Sequence, residues 1–182
     1  MNTYSLILFL HFVGMVGLFV GYGLEWAASA LLPRSTTADQ ARSWLRIYRA
    51  SLPISGPGLL LLIGTGGYMA ARSGVSSSGW VIATLGAIVV ALAIGFGLVL
   101  PRVKAIRTAL PEGNAPLSPD ALTRVRNPMI PTVIRARAFL ALGIVYVMTF
   151  RPDLAPSCFI LAGALILGAL FAAPAWASRK TA

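Results

Sequence analysis

One histidine, one cysteine and five carboxylates are the whole stock of acidic, thiol and imidazole groups in this sequence. Four of the carboxylates, Asp39, Glu112, Asp120 and Asp153, stand in polar connecting stretches. No Cys/His spacing suits zinc, and no two carboxylates face each other inside an apolar run. A Ser-His-Asp arrangement would need an acid near His11. The acid on the same helix is Glu25, 14 residues on, or about 21 Å at 1.5 Å per residue. Most enzyme chemistries therefore fail on inventory, and a non-enzymatic role is the expectation. What remains is His11 and Glu25 within an apolar first segment, and an ionisable group in such a place is a functional hypothesis by default.

The elements that must hold these two groups are membrane spans. Hydrophobic residues make up 57% of the chain and charged residues only 11%, against roughly 25% charged in an ordinary soluble domain. A spanning helix needs about 20 mostly apolar residues. Uncharged runs cover 3–24, 50–71, 73–101 and 154–178. A fifth run, 138–150, reaches spanning length only if its helix starts near Thr132, with Arg135 and Arg137 snorkelling to the headgroups. The expected fold is all-α: a polytopic bundle of five spans, at about 4–32, 53–71, 79–100, 132–150 and 154–177, plus a short cytoplasmic amphipathic helix. Residues 1–182 form a single membrane domain with cytoplasmic connections at 33–52 and 101–131.

Charge sets the expected orientation. Five spans put thirteen of the fifteen Lys and Arg residues on one side, including Arg34, Arg102, Arg124, Arg179 and Lys180, and leave Arg72 and Arg151 on the other. The positive-inside rule makes the first side cytoplasmic, with the N-terminus outside. The net charge of +10 then belongs to anionic lipid headgroups rather than to nucleic acid. No basic stretch precedes the first apolar run, so it reads as a retained helix rather than a cleaved signal peptide.

Along the first helix, His11, Met15, Leu18, Tyr22 and Glu25 share one stripe, with Gly14, Gly17 and Gly21 on a second stripe beside it. Both are expected to face the bundle, since small residues let helices approach. Thr36 or Thr37 can cap the next helix, with Asp39 in its first turn. There Arg42, Arg46 and Arg49 share one face and Ala41, Trp44, Leu45, Ile47 and Tyr48 the other. That pattern is an interfacial helix on the inner leaflet, its arginines on lipid headgroups, which could run on into the next span. Pro53, Gly56, Pro57 and Gly58 could kink or unwind the second span. Gly64-Thr65-Gly66-Gly67 lacks the Lys-Ser/Thr ending of a phosphate loop and reads as close packing. Ser118-Pro119-Asp120 opens a short helix that Asn127-Pro128 ends.

This topology places His11, Met15, Met69 and Met148 in the outer half of the bundle. Imidazole and thioether suit Cu(I), and His with Met is a haem ligand pair, so these four are the candidate site for copper or haem b. The plainer alternative is that His11 bonds a neighbouring helix and the methionines fill gaps. With one histidine per chain, a bis-His haem requires two chains. For Glu25 the choice lies between an interfacial salt bridge with cytoplasmic arginines, such as Arg135 or Arg102, and a proton or cation site. Cys158 excludes an internal disulfide and reads as a packing residue.

Phe9-Leu10-His11-Phe12-Val13-Gly14 resembles the first helix of copper-resistance D-type membrane proteins and of the membrane-bound protoporphyrinogen oxidase. Over nearly its whole length the chain is similar to an uncharacterised family of predicted bacterial integral membrane proteins. The matching motifs are Gly64-Thr65-Gly66, Leu100-Pro101-Arg102 and Met148-Thr149-Phe150-Arg151-Pro152. This likeness implies a helical bundle in a bacterial inner membrane. The oxidase likeness implies haem on the first-helix histidine, matched by His11. That family also carries a basic residue further along the helix and a lysine in the third span. Here stand Glu25 and no lysine, so protoporphyrinogen oxidation is not expected. The function expected is a transport component or a small-ligand or metal-binding module. The alternatives are a haem-dependent oxidoreductase and a structural subunit, in a homo-oligomer or a larger membrane complex.

Overall fold

The computed structural model describes residues 2–177, which are helical apart from short turns and loops. Arg179 and Lys180, counted above for the cytoplasmic side, lie outside the described residues. Helix α1 spans Thr3–Leu31, capped by the Asn2 side chain accepting from the Tyr4 N–H, and ends in a 3-10 turn at Leu32–Arg34. Helix α2, Ala38–Arg72, starts at the Thr37 cap. Helix α3, Gly79–Ile94, passes through a π turn at Gly95–Val99 into α4, Leu100–Ala109. Helix α5 is Pro119–Val125, with Ser118 as cap, and α6 is Met129–Phe150. Helices α7, Leu154–Leu170, and α8, Ala173–Ala177, complete the described chain.

Four helical stretches are long and apolar enough to cross a membrane: Thr3–Arg34, Ala38–Arg72, Gly79–Ala109 and Pro119–Phe150. The last expected span is shorter than 154–177. Its apolar helix, Leu154–Leu170, has 17 residues, the lower limit of the spanning range of about 17–25. Pro174 has no backbone N–H to continue the ladder. The surface is that of a molecule whose solvent is lipid: Leu60 is 71% and Phe159 78% exposed.

Two further boundaries differ from expectation. The third span does not stop at Leu100: the helical stretch continues through the π turn and past Pro101 to Ala109. The second span begins at Ala38 rather than at 53, because the amphipathic segment runs into it as the first turns of α2. Its apolar face meets protein: Ala38, Ala41, Leu45 and Tyr48 join Val103, Ile106, Leu117, Ala121, Val125, Ile130 and Ile134 in one core. Backbone bonds from Ala38 N–H to Ala115 O (3.0 Å) and from Leu117 N–H to Thr36 O (3.2 Å) fasten the loop beside it. Arg42 donates to Asp39, to Gly113 O and to Pro111 O. We call this the basic end, and the end carrying the 73–78 and 151–153 turns the hairpin end.

Helices α1 and α2 form the most extensive pairing, and glycine makes it. A Cβ on Gly14 would lie 2.8 Å from Gly58 O, and one on Gly58 2.8 Å from Gly14 O. Gly21 faces Ser55 in the same way. The register is regular and antiparallel: His11 meets Thr65, Gly21 meets Ser55 and Glu25 meets Ser51. Despite Pro53 and Pro57, α2 stays helical throughout. Ser51 and Ser55 hydroxyls back-bond to Tyr48 O and Ser51 O, which keeps this stretch supplied with polar partners. Of the glycines at 64, 66 and 67, only Gly66 is packed closely, against the His11 ring.

Gly58→Ala pushes a methyl into backbone, and overpacking of that kind costs about 1–3 kcal/mol. Gly64→Ala meets nothing within 4 Å and is expected to be neutral or mildly stabilising. Thermal unfolding of the two variants in one detergent checks this; equal melting temperatures would contradict the close-approach account.

Candidate functional site

At the level where α1 nears the basic end, Glu25 is buried at 2% side-chain exposure and Arg137, from α6, at 12%. Arg137 Nη1 donates to Glu25 Oε2 at 3.0 Å. The Ser51 hydroxyl lies 3.3 Å from Glu25 Oε1. The Arg137 guanidinium carbon stands 5.1 Å from the Tyr22 ring centroid, within cation–π range. A Cβ on Gly95 would come within 3.2 Å of that same carbon, so glycine at the π turn gives the guanidinium its room. Three elements thus close around one ion pair: α1 supplies the acid, α6 the base and the α3–α4 junction the space.

The salt bridge expected of Glu25 with an arginine of the basic set is present, with Arg137 as the partner rather than Arg135 or Arg102. One expectation is corrected: Arg137 does not snorkel; it turns inward because a carboxylate waits there, and a buried charge left unpaired is far costlier than a paired one. Arg135 lies over the Trp26 ring at 5.4 Å and donates to Phe171 O at 2.9 Å, capping the end of α7. Arg102 donates to Leu98 O within its own helical stretch.

Beside the pair is a cavity of about 180 Å³. Its polar end is formed by Glu25, Arg137, Tyr22, Tyr48 and Ser55, and its walls are apolar side chains of α1, α2, α3 and α6, such as Leu18, Leu59, Ile88 and Ile144. On the α3 side the lining runs Ile88, Ala91, Leu92, Gly95, Phe96 and then Leu100. A regular helix would bring Val99 round next. The π turn adds one residue to the turn, so Leu100 takes the cavity position while Val99 joins the basic-end core.

The other sequence candidates fall elsewhere. His11 is half-buried and its Nδ1 is 2.9 Å from Thr65 Oγ1. The Thr65 hydroxyl spends its one proton on Leu61 O. Nδ1 is therefore the donor of the pair, and Nε2 carries the free lone pair. Met15 lies in a shallow surface hollow with Val16, Phe19 and Val20. Met69 and Met148, both partly buried, stand near the hairpin ends of α2 and α6. Among the described residues, no group of three or more His, Cys, Asp or Glu side chains could hold a metal ion. Nothing in the arrangement therefore supports the haem or copper reading. On the basic face, Arg42 is committed to the 111–113 loop, while Arg46 and Arg49 are exposed. Tyr48, Ser51 and Ser55 were missed as site residues. Their spacing, one polar face through the start of an otherwise apolar span, was the available signal.

An all-helical bundle with an apolar exterior and a charge pair sealed among its helices is a polytopic integral membrane protein. The chain belongs to the DUF2269 family, described as a predicted integral membrane protein, whose family model matches residues 5–152. That stretch contains every residue lining the cavity. It supports the likeness to uncharacterised membrane proteins and not the likeness to copper-resistance D-type proteins or the protoporphyrinogen oxidase. No curated protein and no solved structure matches.

Removing one member of a buried pair costs about 3–5 kcal/mol, whereas replacing both is far milder. Glu25→Gln and Arg137→Leu are each expected to lower the melting temperature sharply. The double variant is expected to recover most of the loss. Additive single effects in a double-mutant cycle would show that the pair is not coupled.

Proposed function

We propose that this chain is a non-enzymatic small-ligand-binding module of a bacterial inner membrane, able to serve as a transport component. The observation that carries the reading is the cavity between α1, α2, α3 and α6. It has the usual build of a ligand site, with apolar walls and a few convergent polar groups at one end. The polar groups there are an acid and a base already neutralising each other, which suits binding and orienting better than proton transfer to a substrate. The basic end faces the cytoplasm by the positive-inside rule, with the N-terminus outside. Arg46 and Arg49 are exposed on that side, where they can meet anionic headgroups.

Native mass spectrometry of protein extracted in mild detergent tests the reading. The expected result is a bound small molecule in wild type that is lost in Gly56→Leu. Gly56 lines the cavity and a Cβ there would meet nothing within 4 Å, so the variant fills space without a backbone clash. An empty wild-type protein, from membranes that contain its native small molecules, would count against a ligand site. A reporter fused after residue 182 should read as cytoplasmic; an external reading would overturn the orientation.

A further inference from the structure

We infer that one anionic phospholipid binds at the basic end of the α2–α3 gap, its phosphate between Arg49 of α2 and Lys104 of α4 and one acyl chain along the gap. The inference rests on the reading of the cavity as a ligand site and names the ligand.

The charges come first. Arg49 follows Tyr48 in sequence and Lys104 follows Val103, and Tyr48 and Val103 belong to the same basic-end core. The two cations therefore stand at one level, on two different helices, and both are exposed. No ion pair among the described residues includes either of them. The acids near them are taken, Asp39 by Arg42 and Glu25 by Arg137. Two unanswered cations at one level call for an anion from outside the chain.

Their place in the fold says which anion. Helix α2 makes almost no contact with α3 but meets α4 at the basic end, where Leu45 and Tyr48 share a core with Val103 and Ile106. Beyond that contact the helices part, and Leu52, Gly56 and Leu59 face Ile88, Leu92 and Phe96 across the opening. Arg49 is seven residues from Gly56, within about 20° of it around α2 at 3.6 residues per turn. Lys104 is four residues from Leu100, which lines the cavity, or about 40° around its own helix. The cations thus flank the closed foot of an apolar cleft that opens towards lipid. Basic pockets between spans at the membrane surface are where anionic headgroups bind. Free phosphate would leave the cleft empty, and a zwitterionic lipid would bring a cation of its own to Arg49 and Lys104. Arg46, about 80° from Gly56 around α2, stands away from the cleft.

The test is native mass spectrometry of the full-length protein, stripped of lipid in detergent and titrated with phosphatidylglycerol or phosphatidylcholine of the same chains. Wild type should bind one phosphatidylglycerol roughly 30-fold more tightly than phosphatidylcholine, at about 1 kcal/mol for each of two cations. Arg49→Gln combined with Lys104→Gln should erase that preference; Arg46→Gln and Arg49→Lys should keep it. Gly56→Leu and, as a second filler, Leu92→Trp should each abolish the single tight site. Equal affinity for the two lipids, or a preference lost as fully in Arg46→Gln as in the double variant, overturns the headgroup site. Phosphatidylglycerol binding untouched by both fillers overturns the seat of the chain. A different molecule that co-purifies with wild type and is lost in Gly56→Leu overturns the lipid and leaves the cavity standing as a ligand site.

Discussion

A charge inside an apolar bundle has to be answered by another charge, and here the answer comes from a distant part of the chain. Glu25 and Arg137 are 112 residues apart in sequence, and their meeting fixes how α6 sits against α1. Leu18, Phe19 and Trp26 of α1 then pack with Ala138 and Ala141 of α6 around Tyr22. The same constraint reaches α3, where a side chain larger than hydrogen at residue 95 would crowd the guanidinium. Glycine at the start of the π turn accommodates that one pair. Pairs of this kind add little net stability over apolar packing, but they strongly disfavour arrangements that separate them.

The second organising force is close approach of backbones. Lipid tails are as apolar as leucine, so burying leucine gains little between helices in a membrane. The α1–α2 contact relies on Gly14, Gly21 and Gly58 to bring main chains together, and on His11 with Thr65 and Glu25 with Ser51 to set the register at its two ends. Away from lipid, at the basic end, ordinary hydrophobic packing resumes, and there the core is made of Val, Ile, Leu, Ala and Tyr48 from helices α1, α2, α4, α5 and α6 and the turns between them.

Much of this was legible from residue order. Length and hydropathy are local properties, so the helices and their apolar exterior follow from runs of uncharged residues. Ser118 as a cap and the Gly14, Gly17 and Gly21 stripe follow from periodicity alone. What escaped depends on which helix stands beside which. The headgroup role foreseen for Arg137 failed because snorkelling and inward pairing look identical in one dimension; the difference is a carboxylate on another helix. The apolar face of residues 38–48 could equally serve lipid or protein, and only the folded loop 110–118 decides. The cavity has no local signature, since its lining comes from α1, α2, α3 and α6. The π turn likewise has no composition of its own, and Gly95 discloses its purpose only beside Arg137.

The unbroken length of α2 has a mechanical meaning. One rod carries the Arg42 clamp on the basic-end loop, the Tyr48, Ser51 and Ser55 face at the ion pair, and the Thr65 contact to His11. About 14 Å of helix separates Arg42 from Ser51 at 1.5 Å per residue. Pro53 and Pro57 interrupt the hydrogen-bond ladder just beyond, and such interruptions are where helices bend. Yet α2 runs through both prolines without a break, so the 111–113 loop held by Arg42 and the residues that line the gap between α2 and α3 are carried on one continuous element.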